Sequence, residues 1–480
     1  MLASAPMRRM RMVGIVCSMV LAACGGDDDA GGDADAGALD AAWPEGYVPP
    51  SEQRPGDPAA GYTALVNEGY VRCGVPWSIY STVFGPPSAD QIIDGRVGRN
   101  QQLPYNFTAF TTAEGVEAVA PNCLQCHAEY LNGELVIGLG NVTADYTIDT
   151  GTQPALACGL VSDPDEKAHC NLWAERVETI APFIITATVG VNPADNIAAI
   201  LFAHRDPDTL AWSSEPLLEP PPMITVPVDV PPWWRMAKKH SMFYNGAGRG
   251  DHARIMMSAS ALCTDNVAEA ESIDAYFPDI RAYIYSLQPP AWPYDVDTAL
   301  AAEGEAVFAA TCARCHGSYG DGGAYPNLVI PLEEIGTDDT LVLGTNQFAA
   351  RFVDWFNSSF YGAIAELAPE TGYTAPPLDG VWATAPYLHN GSIPTIAALL
   401  DSSTRPTYWR RSFDQSDYDP DAMGWVHEVL ETGHADEPSA TRRKLIYDTT
   451  NLGYSNAGHT FGDALSADDR AAVTEYLKTL

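Results

Sequence analysis

Positive charge is scarce in this chain of 480 residues: 26 Lys and Arg stand against 62 Asp and Glu, a formal net charge of −36. So acidic a surface repels a phosphate backbone, which excludes nucleic acid as a partner. Long apolar runs are scarce as well, and the one near the start, Met12 to Ala23, is too short to span a bilayer. Histidines number only 10, and no methionine stands between Met423 and the C-terminus, so potential metal ligands are few. Apolar content is not lacking. At 46% hydrophobic the chain can bury a large core, enough for two domains, and is no disordered protein.

The short apolar run has its own meaning. It follows Arg8, Arg9 and Arg11 and ends in "LAAC" then "GG", the layout of a signal-peptide core. That ending resembles a bacterial lipoprotein signal, in which cleavage before Cys24 leaves this cysteine to carry lipid. The expectation is an exported protein of the bacterial periplasm or cell surface, held to the membrane through Cys24. From Gly25 to about Pro58 the chain is rich in Gly, Ala, Asp and then Pro, too poor in apolar residues to order itself. Residues 1–23 therefore read as signal peptide and 24–58 as lipidated cysteine and disordered tether, with ordered structure beginning near Gly61.

Ten cysteines divide cleanly. Cys17 lies in the leader and Cys24 takes lipid. Cys123, Cys126, Cys312 and Cys315 form "CLQCH" and "CARCH". Cys73, Cys158, Cys170 and Cys263 remain, and in an oxidising compartment they can make two disulfides; the short loop Cys158 to Cys170 is favoured, which leaves Cys73 with Cys263. Each C-x-x-C-H motif offers two thiols for thioether bonds to haem vinyl groups and a histidine that can bind the iron. No further C-x-x-C stands by to complete a zinc site. Two covalently bound haem c groups are expected, with His127 and His316 as proximal ligands.

The second motif has helical surroundings. Asp297 or Thr298 can cap a helix carrying Leu300, Gly304, Val307 and Phe308 on one face, and Ser466 can cap a closing helix with Ala472, Val473, Tyr476, Leu477 and Leu480 on its apolar side. Gly304 would let the two cross closely. An opening helix, an attachment motif and a closing helix are the parts of a cytochrome c fold. The first half repeats them more loosely, with Leu65, Gly69 and Tyr70 before Cys123 and helical stretches after Asn171. The fold class expected is mainly α: two cytochrome c-like haem domains, 59–230 and 296–480, with long loops and Pro-rich connections. Between them lies an aromatic and Gly-rich segment, 231–295, holding Trp233, Trp234, Phe243 and Tyr244. Its "GAGRG" has the wrong spacing for a nucleotide-binding loop.

The two haem motifs, "APYLHNGSIP", "NAGHTFG" and the closing "EYLKTL" together resemble the di-haem cytochrome c peroxidase superfamily. Within it, "VPPWWRMAKKHSMFYNGAGRGDHAR" is most similar to the RoxA-like, rubber oxygenase type. The resemblance implies an open, reactive N-terminal haem and a C-terminal haem closed by a second axial ligand that relays electrons. For that ligand His459 leads, since it lies seven residues ahead of Ser466, where cytochrome c folds commonly bring in the distal ligand. His389 is the alternative ligand, with Tyr454 behind it; the plainer role of His389 is to seat the haem by a hydrogen bond to a propionate or a loop carbonyl. His204 and His252 read as structural. Trp233, Trp234 and Phe243 become the candidate distal pocket and electron path, and Arg249 and Arg254 candidates for haem propionates or a solvated surface.

A calcium ion between domains is known in the wider superfamily, and nothing in this chain fixes its ligands. The functional expectation is a di-haem oxidoreductase, oxygenase or peroxidase, acting on an organic substrate of unknown identity with a small redox carrier protein or a small oxidant as partner. The alternatives are a hydrogen-peroxide-reducing cytochrome c peroxidase and a non-enzymatic electron-transfer lipoprotein. Only 73 positions separate His316 from His389, shorter than expected of the rubber oxygenases themselves, which counts against rubber as substrate.

Overall fold

Two helix crossings organise the molecule. A computed structural model describes residues 44–414 and 416–480; the signal-peptide and lipidation expectations, at Met1 to Cys24, lie outside the described residues. In the first crossing, α1 (Pro58–Asn67) starts at Asp57, whose carboxylate accepts from the amides of Ala59 and Ala60, with proline at the first helical position. It lies across α2 (Phe277–Ser286), so close that a Cβ on Gly61 would collide with the Asp279 carbonyl. In the second, α3 (Thr298–Thr311) starts at Asp297 and crosses α4 (Ala467–Leu477), which Ser466 and Asp469 close with a reciprocal capping box. A Cβ on Gly304 would strike the Ala472 carbonyl. The caps and the glycine contact expected of the second half are thus present. The helix closing the first half, α2, lies within 231–295, the stretch expected to connect the halves.

The fold is not mainly α. Strands make up 13% of residues against 40% helix, and they form six small sheets among the described residues. Glu117–Pro121 pairs with both Val75–Pro76 and Phe107–Thr111; Tyr408–Arg411 pairs with both His427–Val429 and Tyr447–Asp448; four two-stranded pairs complete the set. The physical reason is chain punctuation: with 40 Gly and 37 Pro, the long connections cannot extend as helices, so they fold back and satisfy their backbone groups pairwise. Strands of two to five residues leave no alternation long enough to read.

The two sequence halves interpenetrate. Helix Ala350–Ser358, from the second half, buries Phe352, Trp355 and Phe356 in the first half's core, where Trp355 stacks on Phe202 at 4.3 Å and donates to the Arg205 carbonyl at 2.6 Å. Residues 44–57, assigned by composition to the tether, also pack: Val48 donates to the Asn327 carbonyl and is 2% exposed, and Arg54 pairs with Asp251 and Asp274. Its prolines lower the entropy lost on ordering, and Val48 and Arg54 supply the contacts that overcome the rest. Both disulfides form as the cysteine arithmetic proposes, Cys158 with Cys170 and Cys73 with Cys263.

Candidate functional site

The first motif is a single 3₁₀ turn. Asn122 caps Cys123–Gln125 by accepting from the Leu124 amide, while its Nδ2 donates to the Tyr105 carbonyl and the Thr108 hydroxyl. The amide of His127 donates to the Cys123 carbonyl, which brings the two thiols and the imidazole onto one short stretch of surface. Asn192 donates to the Cys126 sulfur at 3.3 Å, and burial pushes the Cys123 thiol up to about 12. Among the described residues the four motif cysteines are the free ones.

His127 lies flat against Trp233, ring centres 4.8 Å apart and planes 23° apart. The contact is built by the backbone: Gly138, at positive φ, donates to the His127 carbonyl and accepts from the Trp233 amide. Burial drives the His127 imidazole down to about 4, so it is neutral, the form that binds metal. Nothing bonds its buried Nδ1 at good geometry. No second histidine ring contacts it among the described residues.

The second motif differs on that point. α3 ends at Cys312, and His316, one helical turn on, directs Nδ1 to the Pro376 carbonyl at 2.8 Å, which leaves Nε2 for a ligand. His459 faces it, ring centres 6.1 Å apart. Two imidazoles bound on opposite sides of one metal, with bonds of about 2 Å, put their ring centres about 6 Å apart, so the pair fits an iron between them. His459 is held in position by its surroundings: it adopts φ 45°, its amide donates to the Ile335 carbonyl, and Arg405 grips the carbonyls of Asn456, Gly458 and His459. Gly458, at φ 73°, presses on Gly336 where any Cβ would collide. Burial pushes His459 down to about 3, again neutral, with a buried Nδ1 lacking a partner.

His389 lies elsewhere. It is buried against Tyr373, stacked at 4.1 Å, with Tyr244 edge-on at 6.2 Å, and its carbonyl accepts from the Asp229 amide. Tyr454 is occupied, its hydroxyl accepting from the Ala187 amide. His204 bonds the Ser213 carbonyl and His252 the Tyr285 hydroxyl. Arg249 pairs with Glu370 and Arg254 with Asp274. Phe243 sits at positive φ in a turn, 42% exposed, over Gly248. Trp233 and Trp234 divide between the two main cores, the first with the core around His127, the second with that around Phe308 and Tyr476. The Trp234 indole and Arg235 Nε both donate to the Asp379 carbonyl. Among the described residues no cluster of three or more His, Cys, Asp or Glu could hold a metal ion. Sequence reasoning missed Pro376, Asp379 and Arg405; the first two act through backbone carbonyls, which carry no side-chain signature.

Two family models match segments of this chain. Residues 299–344, around "CARCH", match the family of cytochrome c oxidase, cbb3-type, subunit III, and residues 372–410, around "APYLHNGSIP", match the RoxA-like, cytochrome c-like family. Two uncharacterized proteins of Sinorhizobium fredii (strain NBRC 101917 / NGR234) are similar: y4iJ, 32% identical over 46% of this chain and 46% of that protein, and y4iM, 31% identical over 53% and 62%. The chain thus spans about half the length of the curated relatives it matches. Both matched segments lie in the second half of the chain, and together they make it similar there to RoxA-like c-type cytochromes.

Proposed function

We propose that the protein is an exported di-haem oxidoreductase with one open and one closed haem. The observation that carries this reading is an asymmetry: His316 has a histidine facing it at 6.1 Å, and among the described residues His127 has none. Cys123, Cys126 and His127 would hold the first haem, and Cys312, Cys315, His316 and His459 the second. Haem supplies one-electron chemistry, and a free axial side admits dioxygen or peroxide. The chain's residues do the rest. His127 and His459 stay unprotonated through burial, Pro376 fixes which nitrogen of His316 is free, and Trp233 and Trp234, neighbours in sequence, sit one in each of the two main cores. An oxygenase or peroxidase acting on an organic substrate is the finer reading.

Spectroscopy of the purified protein tests it. One low-spin haem and one haem that changes spectrum on adding peroxide or dioxygen is the expected result. Two low-spin haems that ignore both would leave an electron-transfer lipoprotein. Anchoring through Cys24 at the membrane is part of the same proposal, as is a partner that is a small, positively charged redox carrier, because a surface of net charge −36 steers cations to it.

A further inference from the structure

Among the described residues, most buried arginines of this acidic protein have an ion pair or several hydrogen bonds, even where one nitrogen is left unbonded. Arg176 and Arg205 share Asp265, and Arg254 pairs with Asp274. Arg96 donates to five backbone carbonyls, and Arg281 reaches Gln53 and the Arg54 carbonyl. Arg411 lies over the Trp425 ring at 4.0 Å and donates from Nε to the Ser412 carbonyl, with Nη1 buried and unbonded. Arg235 has no ion pair, no ring against it and a single short hydrogen bond. It is 6% exposed, with Nε donating to the Asp379 carbonyl at 3.0 Å and Nη2 only 3.4 Å from the Thr384 hydroxyl; Nη1 makes no hydrogen bond, and the carboxylates of Asp379 and Asp229 act on the group electrostatically without forming an ion pair with it. A buried cation left with donors to spare costs several kcal/mol unless an anion joins it.

Its position says which anion. Arg235 follows the Trp233–Trp234 pair directly, and the Asp379 carbonyl that holds it lies three residues beyond Pro376, the acceptor for His316. Tyr319, whose hydroxyl donates to the His316 carbonyl, lies within reach of the same charge, and so does His316 itself. We propose that Arg235 anchors a propionate carboxylate of the haem carried by Cys312, Cys315 and His316, its Nη1 edge supplying the donors. The inference rests on the di-haem reading above. A guanidinium beside this haem favours the ferrous state, whose net charge is lower, and so raises the reduction potential of the relay.

The test uses the full-length haem-loaded protein with Arg235→Gln and Arg235→Lys variants, followed by haem quantitation and spectroelectrochemical titration. Both haems should remain bound and the bis-histidine spectrum should persist. The midpoint potential of the low-spin haem should move negative in Arg235→Gln and return most of the way in Arg235→Lys. An unchanged low-spin potential in a fully loaded Arg235→Gln protein overturns the proposal, as does a shift confined to the other haem. A wild-type potential that responds to millimolar acetate, while that of Arg235→Gln does not, would mean a free carboxylate site and also overturns it. If Arg235→Gln does not accumulate, resonance Raman of the wild type decides: a propionate bending band displaced in D₂O supports the anchor, and an undisplaced band overturns it. A wild type without any bis-histidine haem removes the di-haem reading and this proposal together, an outcome visible before any variant is made.

Discussion

At the scale of single residues, the two late histidines have separable roles. His459 is held by Arg405 and by the Gly458 contact at a distance from His316 that suits one metal, while His389 is wedged on Tyr373. His459→Ala is expected to convert the low-spin haem to a high-spin form that binds added cyanide or imidazole, read by absorption and EPR. His389→Ala should leave the spin state alone and cost about 2–4 kcal/mol of stability through the cavity it opens. A high-spin second haem in His389→Ala would reverse the assignment. "APYLHNG" is the more conspicuous motif, and the choice between the two histidines follows from which of them faces His316, a fact of geometry.

At the scale of elements, the crossings and the strap of residues 44–57 decide stability. Gly61→Ala and Gly304→Ala each drive a methyl into a backbone carbonyl of the partner helix, where no flexible side chain can yield. Each is expected to cost at least about 1–3 kcal/mol and to reduce haem incorporation, measured by haem-to-protein ratio and by denaturant titration. The strap is held by Arg54 on Asp251 and Asp274, with Arg254 also on Asp274. Burial pushes these two carboxyls up, and the hydrogen bonds from Arg54 outweigh it, so both lie below the ordinary range. A carboxyl with a depressed folded-state pKa stabilises above its unfolded value, about 4, and that contribution is lost as pH falls through the folded-state value. Unfolding below pH 4 should therefore begin with release of residues 44–57, and Asp274→Asn should abolish this acid step while lowering stability by about 3 kcal/mol at neutral pH. Hydrogen exchange across the strap as a function of pH would show it; protection unchanged down to the global acid transition would contradict it.

At the scale of the whole molecule, charge and cross-links set the expectations. Cys73–Cys263 spans 190 residues and Cys158–Cys170 spans 12, so on loop-closure grounds the first stabilises more. Replacing the first pair with serine should cost about 2–5 kcal/mol and the second less, read as thermal unfolding of each variant. Cationic electron donors should reduce the protein faster than anionic ones, by a margin that shrinks as ionic strength rises toward 0.15 M and above. Equal rates would argue that the acidic surface is unrelated to partner choice.

Local chemistry is legible without coordinates: the C-x-x-C-H pairs, the caps Asp297 and Ser466, the contact at Gly304 and the disulfide partners all depend on residues near one another in sequence or on residue type alone. Larger arrangement is not. That Phe277–Ser286 closes the first half, that Ala350–Ser358 crosses into the first core, and that short strands pin the loops all depend on pairings across long separations. Such pairings are chosen by packing and by satisfying backbone groups, neither of which leaves a local pattern. The sequence by itself determined the two C-x-x-C-H motifs and the strongly acidic charge. Only the tertiary structure decided that His459 faces His316, that among the described residues no histidine faces His127 in the same way, and that Arg235 is buried beside the second site without an ion pair, because each is a relation between side chains brought together by the fold.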